Sequence, residues 1–234
     1  MNREEEKKKI LDEVKEYAKK YLSNIDIKDF KEGDRIPYSA KVYDEQEVVS
    51  LVDSALDFWL TQGKYYDEFE DKLSRYLGVR YVSFVNSGSS ANLLAYAALT
   101  SPLLKDRQVK KGDEVITVAS GFPTTVAPII QLGQLPVFVD MDIPTYNADV
   151  SLIEKAITDK TKVIIMAHTL GNAFDIKRVK ELCDKHNIWL IEDNCDALGC
   201  EALVDGIYKK TGTIGDIGTS SFYPPHHMTT GEGG

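Results

Sequence analysis

KVIIMAHTLGNAFDIKRVKELCDKHNIWLIED, residues 162–193, holds two apolar runs, KVIIM (162–166) and IWLIE (188–192), on either side of a helical candidate at 175–186. Runs that are apolar throughout, rather than at every second residue, predict strands buried on both faces, and a helix between two of them predicts a parallel crossover. The same alternation continues outward. YVSFV (81–85), EVITV (114–118), PVFVD (136–140) and TSSF (219–222) read as further strands, with helices predicted at 89–99, 123–132 and 150–157. The expected fold class is α/β, with a mostly parallel mixed sheet between two helical layers over residues 79–234. Sheets of this kind bind ligands where strands run out into loops at their carboxyl ends, so chemistry is sought directly after each strand.

Toward the N-terminus the pattern becomes helical, and residues 1–78 are expected to form a separate helical segment. Ile10, Leu11, Val14, Tyr17, Ala18, Tyr21 and Leu22 recur at helical spacing, with Glu and Lys between them. The charge run reads as a solvated helix face rather than a binding patch. Gly33, Asp34, Pro37 and Ser39 mark a loop, a second helix is expected from about Glu45 through Trp59, Gly63 breaks it, and Phe69 to Leu77 reads as a short helix.

Composition sets outer limits. With 234 residues, 43% hydrophobic and 28% charged, the chain can bury one sizeable core. A formal net charge of −9 opposes attraction to nucleic acid and to anionic membrane surfaces, so neither is an expected partner. No apolar signal region or membrane-length apolar stretch is present, and a cytoplasmic protein is expected. Cys183, Cys195 and Cys200 are odd in number and lack C-x-x-C spacing, which suits reduced thiols better than a disulfide framework.

Three strand ends carry candidate chemistry. After YVSFV comes Asn86-Ser87-Gly88-Ser89-Ser90-Ala91-Asn92 and then LLAYAAL, a run of small residues entering a helix. Backbone N–H groups and hydroxyls can converge there on an anion at the positive end of the helix dipole, although a Ser-rich N-cap alone has the same appearance. After IWLIE sits Asp193, within E-D-N-C-D-A-L-G. A carboxylate there can hold a pyridinium nitrogen protonated, or can simply cap the next turn. The third stretch runs from Gly215-Asp216 through Ser221 and His226 to Gly231-Glu232-Gly233-Gly234.

Taken in order, N-S-G-S-S-A-N, E-D-x-x-x-A-x-G and G-D-x-x-x-x-S-F-x-x-x-[K/H]-x-x-T-x-G-E-G-G resemble the DegT/DnrJ/EryC1/StrS family of sugar aminotransferases, of fold type I. The resemblance runs from about Pro37 to Gly234. It implies a pyridoxal-phosphate-type cofactor whose phosphate is bound by Gly88 and Ser89, with Ser221 adding a hydroxyl. Phe122, in S-G-F-P-T-T, matches the aromatic that stacks on the cofactor ring; without the family pattern a buried core Phe would be expected. Asp193 matches the partner of the pyridine nitrogen. Asp196 falls where most of the family has Gln, on the side of the ring hydroxyl. In family aminotransferases the fifth residue after the phosphate-binding Ser is the lysine that tethers the cofactor, and here that residue is His226. An imidazole forms no stable Schiff base, so the cofactor is expected to be held non-covalently. An imidazole titrates near neutrality, which suits a general base beside C4′. His227 is read as supporting or structural.

The lysine-to-histidine replacement is similar to the sugar 3-dehydrase branch of the family, which uses pyridoxamine 5′-phosphate to remove the C3 hydroxyl of a nucleotide-linked 4-keto-6-deoxyhexose. I-P-Y-S-x-K-V-Y, D-F-W-L-T-x-G, N-S-G-S-S-A-N-L-L-A and S-F-Y-P-x-H-H-x-T-x-G-E-G-G look like the type acting on CDP-4-keto-6-deoxyglucose in O-antigen and 3,6-dideoxyhexose biosynthesis. That resemblance implies a homodimer, a [2Fe–2S] cluster and an NADH-dependent iron–sulfur flavoprotein reductase as partner. Cys195 matches the first cluster cysteine, whereas a buried inert thiol is the reading without the family. Cys183 and Cys200 are read as structural. A cluster normally takes four thiolates and this chain has three, so the remaining ligands are expected outside it. The G-E-G-G ending falls within the family's large domain, and the chain is expected to be an N-terminal fragment lacking the small domain. Two alternatives stand beside this reading: a GDP-4-keto-6-deoxymannose 3-dehydrase without a cluster, and a catalytically silent cofactor-binding scaffold.

Overall fold

The computed structural model of the chain describes residues 2–22, 31–35 and 42–234. Pro37, Ser39 and most of the I-P-Y-S-x-K-V-Y motif lie outside the described residues. The chain divides into two compact units, Met1–Leu73 and Ser74–Gly234.

In the first unit, α1 (Arg3–Tyr21) and α2 (Glu45–Asp57) each start on a capping box, Asn2 with Glu5 and Asp44 with Glu47, so side chains satisfy their first backbone donors. The second helix ends two residues before Trp59, because Phe58 turns left-handed at φ 51°. A third helix, α3 (Lys64–Leu77), starts five residues earlier than the sequence suggested, directly after Gly63. Lys7 sits 2.7 Å from Asp53 and also pairs with Asp57; Lys64 lies 2.5 Å from Asp53 and 2.8 Å from Asp57; and the Tyr65 hydroxyl donates to Asp53 at 2.5 Å. The Lys7 side chain is only 12% exposed, so this member of the charge run joins helices rather than facing water. Among the described apolar side chains of this unit only Ala18 and Leu73 are fully buried.

The second unit is the expected α/β layer structure. Its elements are α4 (Gly88–Leu99), β1 (Glu114–Val118), α5 (Pro123–Gln131), β2 (Leu135–Val139), α6 (Val150–Ala156), β3 (Thr161–Ala167), α7 (Ile176–His186), β4 (Trp189–Asp193), the hairpin β5 (Glu201–Val204) and β6 (Ile207–Lys210), and β7 (Ile217–Thr219). Five strands form one sheet in the order β2-β1-β3-β4-β7, and every pairing in it is parallel. Antiparallel pairing among the described strands is confined to the separate β5–β6 hairpin, apart from an isolated bridge between Met141 and Ala148. Successive side chains point to opposite faces, as a pleated strand requires. Ile116, Ile164, Met166 and Leu190 pack with Ile153, Phe174, Val179 and Leu182 on one face; Val115, Val163, Ile165 and Ile191 pack with Tyr96, Leu99 and Ile129 on the other. Each such fully buried side chain contributes about 1.5–3 kcal/mol relative to exposure.

Two strand expectations need correction. YVSFV (81–85) is not a strand of the sheet: Val85 exchanges two backbone hydrogen bonds with Gly234, at 2.8 and 2.9 Å, and a single paired residue makes no ladder. TSSF (219–222) is a strand only at its first residue, because β7 ends at Thr219, whose carbonyl accepts from Asn194 N at 2.7 Å, and the chain then turns away. The β5–β6 hairpin was not anticipated. Its two-residue turn, Asp205-Gly206, has φ 53° and 79°, and Asp-Gly between strands is the sequence signal of such a turn. Among the described residues no helix is long and apolar enough to cross a membrane.

Candidate functional site

In the sheet order, β1 has β2 on one side and β3 on the other, so the direction of chain growth reverses between β1 and β3. A crevice opens at the carboxyl ends of strands at such a reversal. Phe122, at the N-cap of α5 just after β1, is 62% exposed. That figure rules out the core-Phe reading and leaves the ring open for stacking.

The N-terminus of α4 meets the end of the β7 segment at very close range. Ser87 caps the helix, accepting from Ser90 N at 3.1 Å, and the Ser89 hydroxyl donates to Thr124 Oγ1 at 3.0 Å. A Cβ at Gly88 would stand 2.5 Å from Ser221 Cβ and 2.9 Å from its Oγ, so only glycine lets the two chains approach this closely. Gly234 lies against the backbone of Ser87 in the same way. Gly88, Ser89 and Ser221 are therefore gathered around the start of one helix, where backbone donors and the dipole favour an anion.

Asp193, at the end of β4, is buried at 3% exposure. Its Oδ2 accepts from Asn92 Nδ2 at 3.1 Å and from Thr125 Oγ1 at 2.9 Å, and its Oδ1 from Cys195 N at 3.2 Å. Asn92 in turn accepts from the Thr219 hydroxyl at 2.6 Å. Asp193 is thereby tied to α4, α5 and β7 at once. The sequence reading missed Asn92, Thr124, Thr125 and Thr219; the one available signal was an Asn inside the apolar helix run LLAYAAL, a poor place for that residue unless its amide has partners.

Beyond Asp193, the Asp196 carboxylate Oδ1 lies 3.1 Å from His226 Nδ1. The His226 ring also meets Tyr223 edge-on at 4.8 Å between centroids, and its backbone N donates to Tyr223 O at 3.2 Å. Phe222 N to Gly233 O and Thr230 N to Phe222 O, both 2.9 Å, close the base of this turn over the buried Phe222 ring. Asp196, matched by resemblance to the ring-hydroxyl side, thus has His226 as its partner. His227 is exposed.

A second polar cluster lies on the other face of β4. Glu192 and His168 are both fully buried, with His168 Nε2 2.9 Å from Glu192 Oε2 and its ring stacked on Phe174 at 4.3 Å. Glu192 also accepts from Gly212 N at 2.8 Å, Ile214 N at 2.7 Å and Gly215 N at 2.5 Å.

The cysteines are free thiols. Burial pushes the Cys183 thiol up to about 12, and burial followed by the charge of Asp193 pushes Cys195 well above the ordinary thiol range. Cys200 Sγ donates to Gly171 O at 3.3 Å. Among the described residues no group of three or more His, Cys, Asp or Glu side chains could hold a metal ion.

Comparison with known proteins places this geometry. The chain is 56% identical over 222 residues to the lipopolysaccharide biosynthesis protein RfbH of Salmonella typhimurium, covering 94% of this chain and 49% of that protein. It is 48% identical over 196 residues to the dTDP-4-dehydro-2,6-dideoxy-D-glucose 3-dehydratase of Saccharopolyspora spinosa, covering 84% and 42%. The solved structure of E. coli GDP-4-keto-6-deoxy-D-mannose-3-dehydratase with bound hydrated PLP superposes with a TM-score of 0.77 at 36% identity, covering 85% of this chain and 50% of that one. The chain spans about half the length of these relatives. The sequence profile of the DegT/DnrJ/EryC1/StrS aminotransferase family matches residues 42–234, and with this fold and these relatives the chain belongs to that family.

Proposed function

We propose that this chain forms the cofactor-binding half of a nucleotide-sugar 3-dehydrase that uses pyridoxamine 5′-phosphate, or pyridoxal phosphate, without a covalent tether. The observation that carries the reading is the 3.1 Å pair between His226 and Asp196, at the position where family aminotransferases have their lysine. Likeness to RfbH and to two 3-dehydratases supports it.

The residues present suit such a cofactor. Gly88, Ser89 and Ser221 would hold its phosphate at the start of α4, the exposed Phe122 ring would cover one face of the pyridine ring, and Asp193 would face the ring nitrogen. When bound, the cofactor supplies a conjugated ring that accepts the electron pair released at C4′. The Asp196 carboxylate, 3.1 Å from His226 Nδ1, would favour a proton on that nitrogen and leave Nε2 to act on the substrate side. His226 Nε2 would take the proton at C4′, and the bound cofactor would supply the conjugation that lets the C3 hydroxyl of a 4-keto-6-deoxyhexose be expelled. A lysine at 226 would capture the cofactor in its aldehyde form and leave no free amine for the sugar's C4 ketone, so its replacement by an imidazole belongs to the chemistry.

The substrate class we favour is CDP-4-keto-6-deoxyglucose, on the motifs shared with that type and on likeness to a lipopolysaccharide biosynthesis protein. The described residues do not by themselves fit a [2Fe–2S] cluster. Cys195 is the proposed first ligand of a cluster served by an NADH-dependent iron–sulfur flavoprotein reductase. Iron and sulfide analysis of the intact protein and of Cys195→Ser tests it: loss of both in the variant supports the assignment, and a cluster-free active enzyme defeats it in favour of the GDP-linked type.

The main test is solvent exchange of the C4′ proton of bound pyridoxamine phosphate in the presence of CDP- or GDP-linked 4-keto sugar. His226→Asn is expected to slow exchange by about 10²- to 10⁴-fold while cofactor binding survives. Near-normal exchange in the variant would mean another base, and no exchange in the unmodified protein with either sugar would favour a silent scaffold.

A further inference from the structure

Asn92 is an oddity of α4. It is 2% exposed, in the second turn of a helix whose other inward residues are apolar, and an uncharged amide buried there needs every polar atom occupied. Its two partners fix its orientation without ambiguity. The carboxylate of Asp193 has nothing to donate, so the Asn92 amide nitrogen must face Oδ2, at 3.1 Å. The Asn92 carbonyl oxygen then faces Thr219, and a carbonyl only accepts, so the Thr219 hydroxyl must donate, at 2.6 Å. Donation therefore runs in one direction, from Thr219 through Asn92 to Asp193.

The end of that chain is uneven. Asp193 Oδ2 takes two donors, Asn92 and the Thr125 hydroxyl, and Oδ1 takes the backbone N of Cys195 at 3.2 Å, while the Cys195 thiol also bonds the carboxylate. A carboxylate offers about four acceptor directions, two on each oxygen. Oδ2 is filled by two strong donors, whereas the remaining direction is met by a thiol, a weak donor that a charged ring N–H displaces. Every protein contact to it is a donor, the arrangement that a charged carboxylate accepts.

From this geometry we infer that Asn92, held by Thr219, is a positioning residue that keeps Asp193 charged and presents its Oδ1 to the ring nitrogen of the cofactor. The inference rests on the reading of Asp193 as the partner of that nitrogen. It gives Asn92 a role beyond filling the helix interface. It also links three pieces of the site: α4 carries the phosphate end, Thr125 follows Phe122 by three residues, and Thr219 precedes Ser221 by two.

The test is the ¹⁵N chemical shift of the ring nitrogen in pyridoxal phosphate labelled at that atom, bound to the intact protein at a fixed pH, together with its dissociation constant. The unmodified protein is expected to give the signal of a protonated nitrogen. Asn92→Leu, of similar size, should move the signal toward the unprotonated position and loosen binding about tenfold, the scale of one hydrogen bond to a buried charge. Thr219→Val should move it the same way by a smaller amount, and Thr219→Ser, which keeps the hydroxyl, should restore it. If Asn92→Leu does not fold, the Thr219 pair carries the test alone. A signal moved by Asp193→Asn but untouched by Asn92→Leu and Thr219→Val would overturn the inference and leave the cofactor reading standing. A signal untouched even by Asp193→Asn would overturn both.

Discussion

Glu192 and Asp193 are consecutive residues of β4, both buried, and they anchor two polar clusters on opposite faces of the same strand. On one face, Glu192 receives four donors, one from His168 and three from the backbone of residues 212–215, which fills its acceptor capacity. On the other, Asp193 receives three donors from amide and hydroxyl groups and a weaker one from the Cys195 thiol. The difference separates a carboxylate that fastens the fold from one that can still act on something else. A buried carboxylate filled by strong donors from the chain has no capacity left for a ligand; one whose last donor is a weak thiol can exchange it.

The largest effect expected from this contrast is on stability. Glu192→Ala leaves the buried His168 ring and three backbone N–H groups without their partner, and each buried polar group left unsatisfied costs about 1–3 kcal/mol. Together these losses are a large part of the roughly 5–15 kcal/mol that keeps a domain folded. Chemical denaturation would show it as a collapse of the midpoint, and a midpoint close to that of the unmodified protein would break the contrast. Asp193→Asn should do the reverse. Its shape and most of its contacts survive, so the midpoint should stay near that of the unmodified protein. Dehydration in the intact enzyme should fall by about 10²- to 10³-fold, the scale of losing one group aimed at developing charge. A stability loss as large as that of Glu192→Ala would make the two carboxylates equivalent.

The smallest effect belongs to the ion network of the N-terminal unit, which sharpens the scale at its exposed end. Hydrogen bonds from Lys64, then Lys7, hold the carboxyls of Asp53 and Asp57 below their ordinary value of 3.8, and the same bonds raise both lysines above 10.5. A depressed carboxyl stabilises the fold above its unfolded value and loses that contribution as pH falls through the folded one, so the helical unit should weaken on acidification below about pH 4. The raised lysines contribute fully below 10.5 and lose their contribution as pH climbs through their folded values. Partly exposed pairs are screened, so the midpoint difference between the unmodified protein and Asp57→Asn should shrink in high salt. A difference indifferent to salt would mean that the network is held by packing.

How much of this was legible beforehand follows from the same chemistry. β1, β3 and β4 were found within a residue because a strand covered on both faces must be apolar along its whole length. The β5–β6 hairpin was missed because E-A-L-V and I-Y-K-K are short and mixed, and the Asp205-Gly206 signal was passed over. YVSFV has strand composition but forms no ladder among the described residues, where Val85 pairs with Gly234, and composition says nothing about partners. In the site, the motif residues could be named because they are spaced in the chain. Gly88 against Ser221 and His226 against Asp196 could not be read as contacts, since nothing in their separation of 133 and 30 positions encodes proximity. Asn92, Thr125 and Thr219 were invisible for a further reason: each is an ordinary residue whose meaning is given entirely by the carboxylate or amide it faces.

The imidazole at 226 has a bearing on how such a protein is handled. A lysine-bound cofactor survives dialysis; on the proposed reading, one held without a tether by groups such as Gly88, Ser89, Ser221, Phe122 and Asp193 obeys mass action, so gel filtration in cofactor-free buffer should strip it. Thermal stability then becomes a property of the buffer as well as of the chain, rising by about 1.4 kcal/mol for each tenfold excess of free cofactor above its dissociation constant.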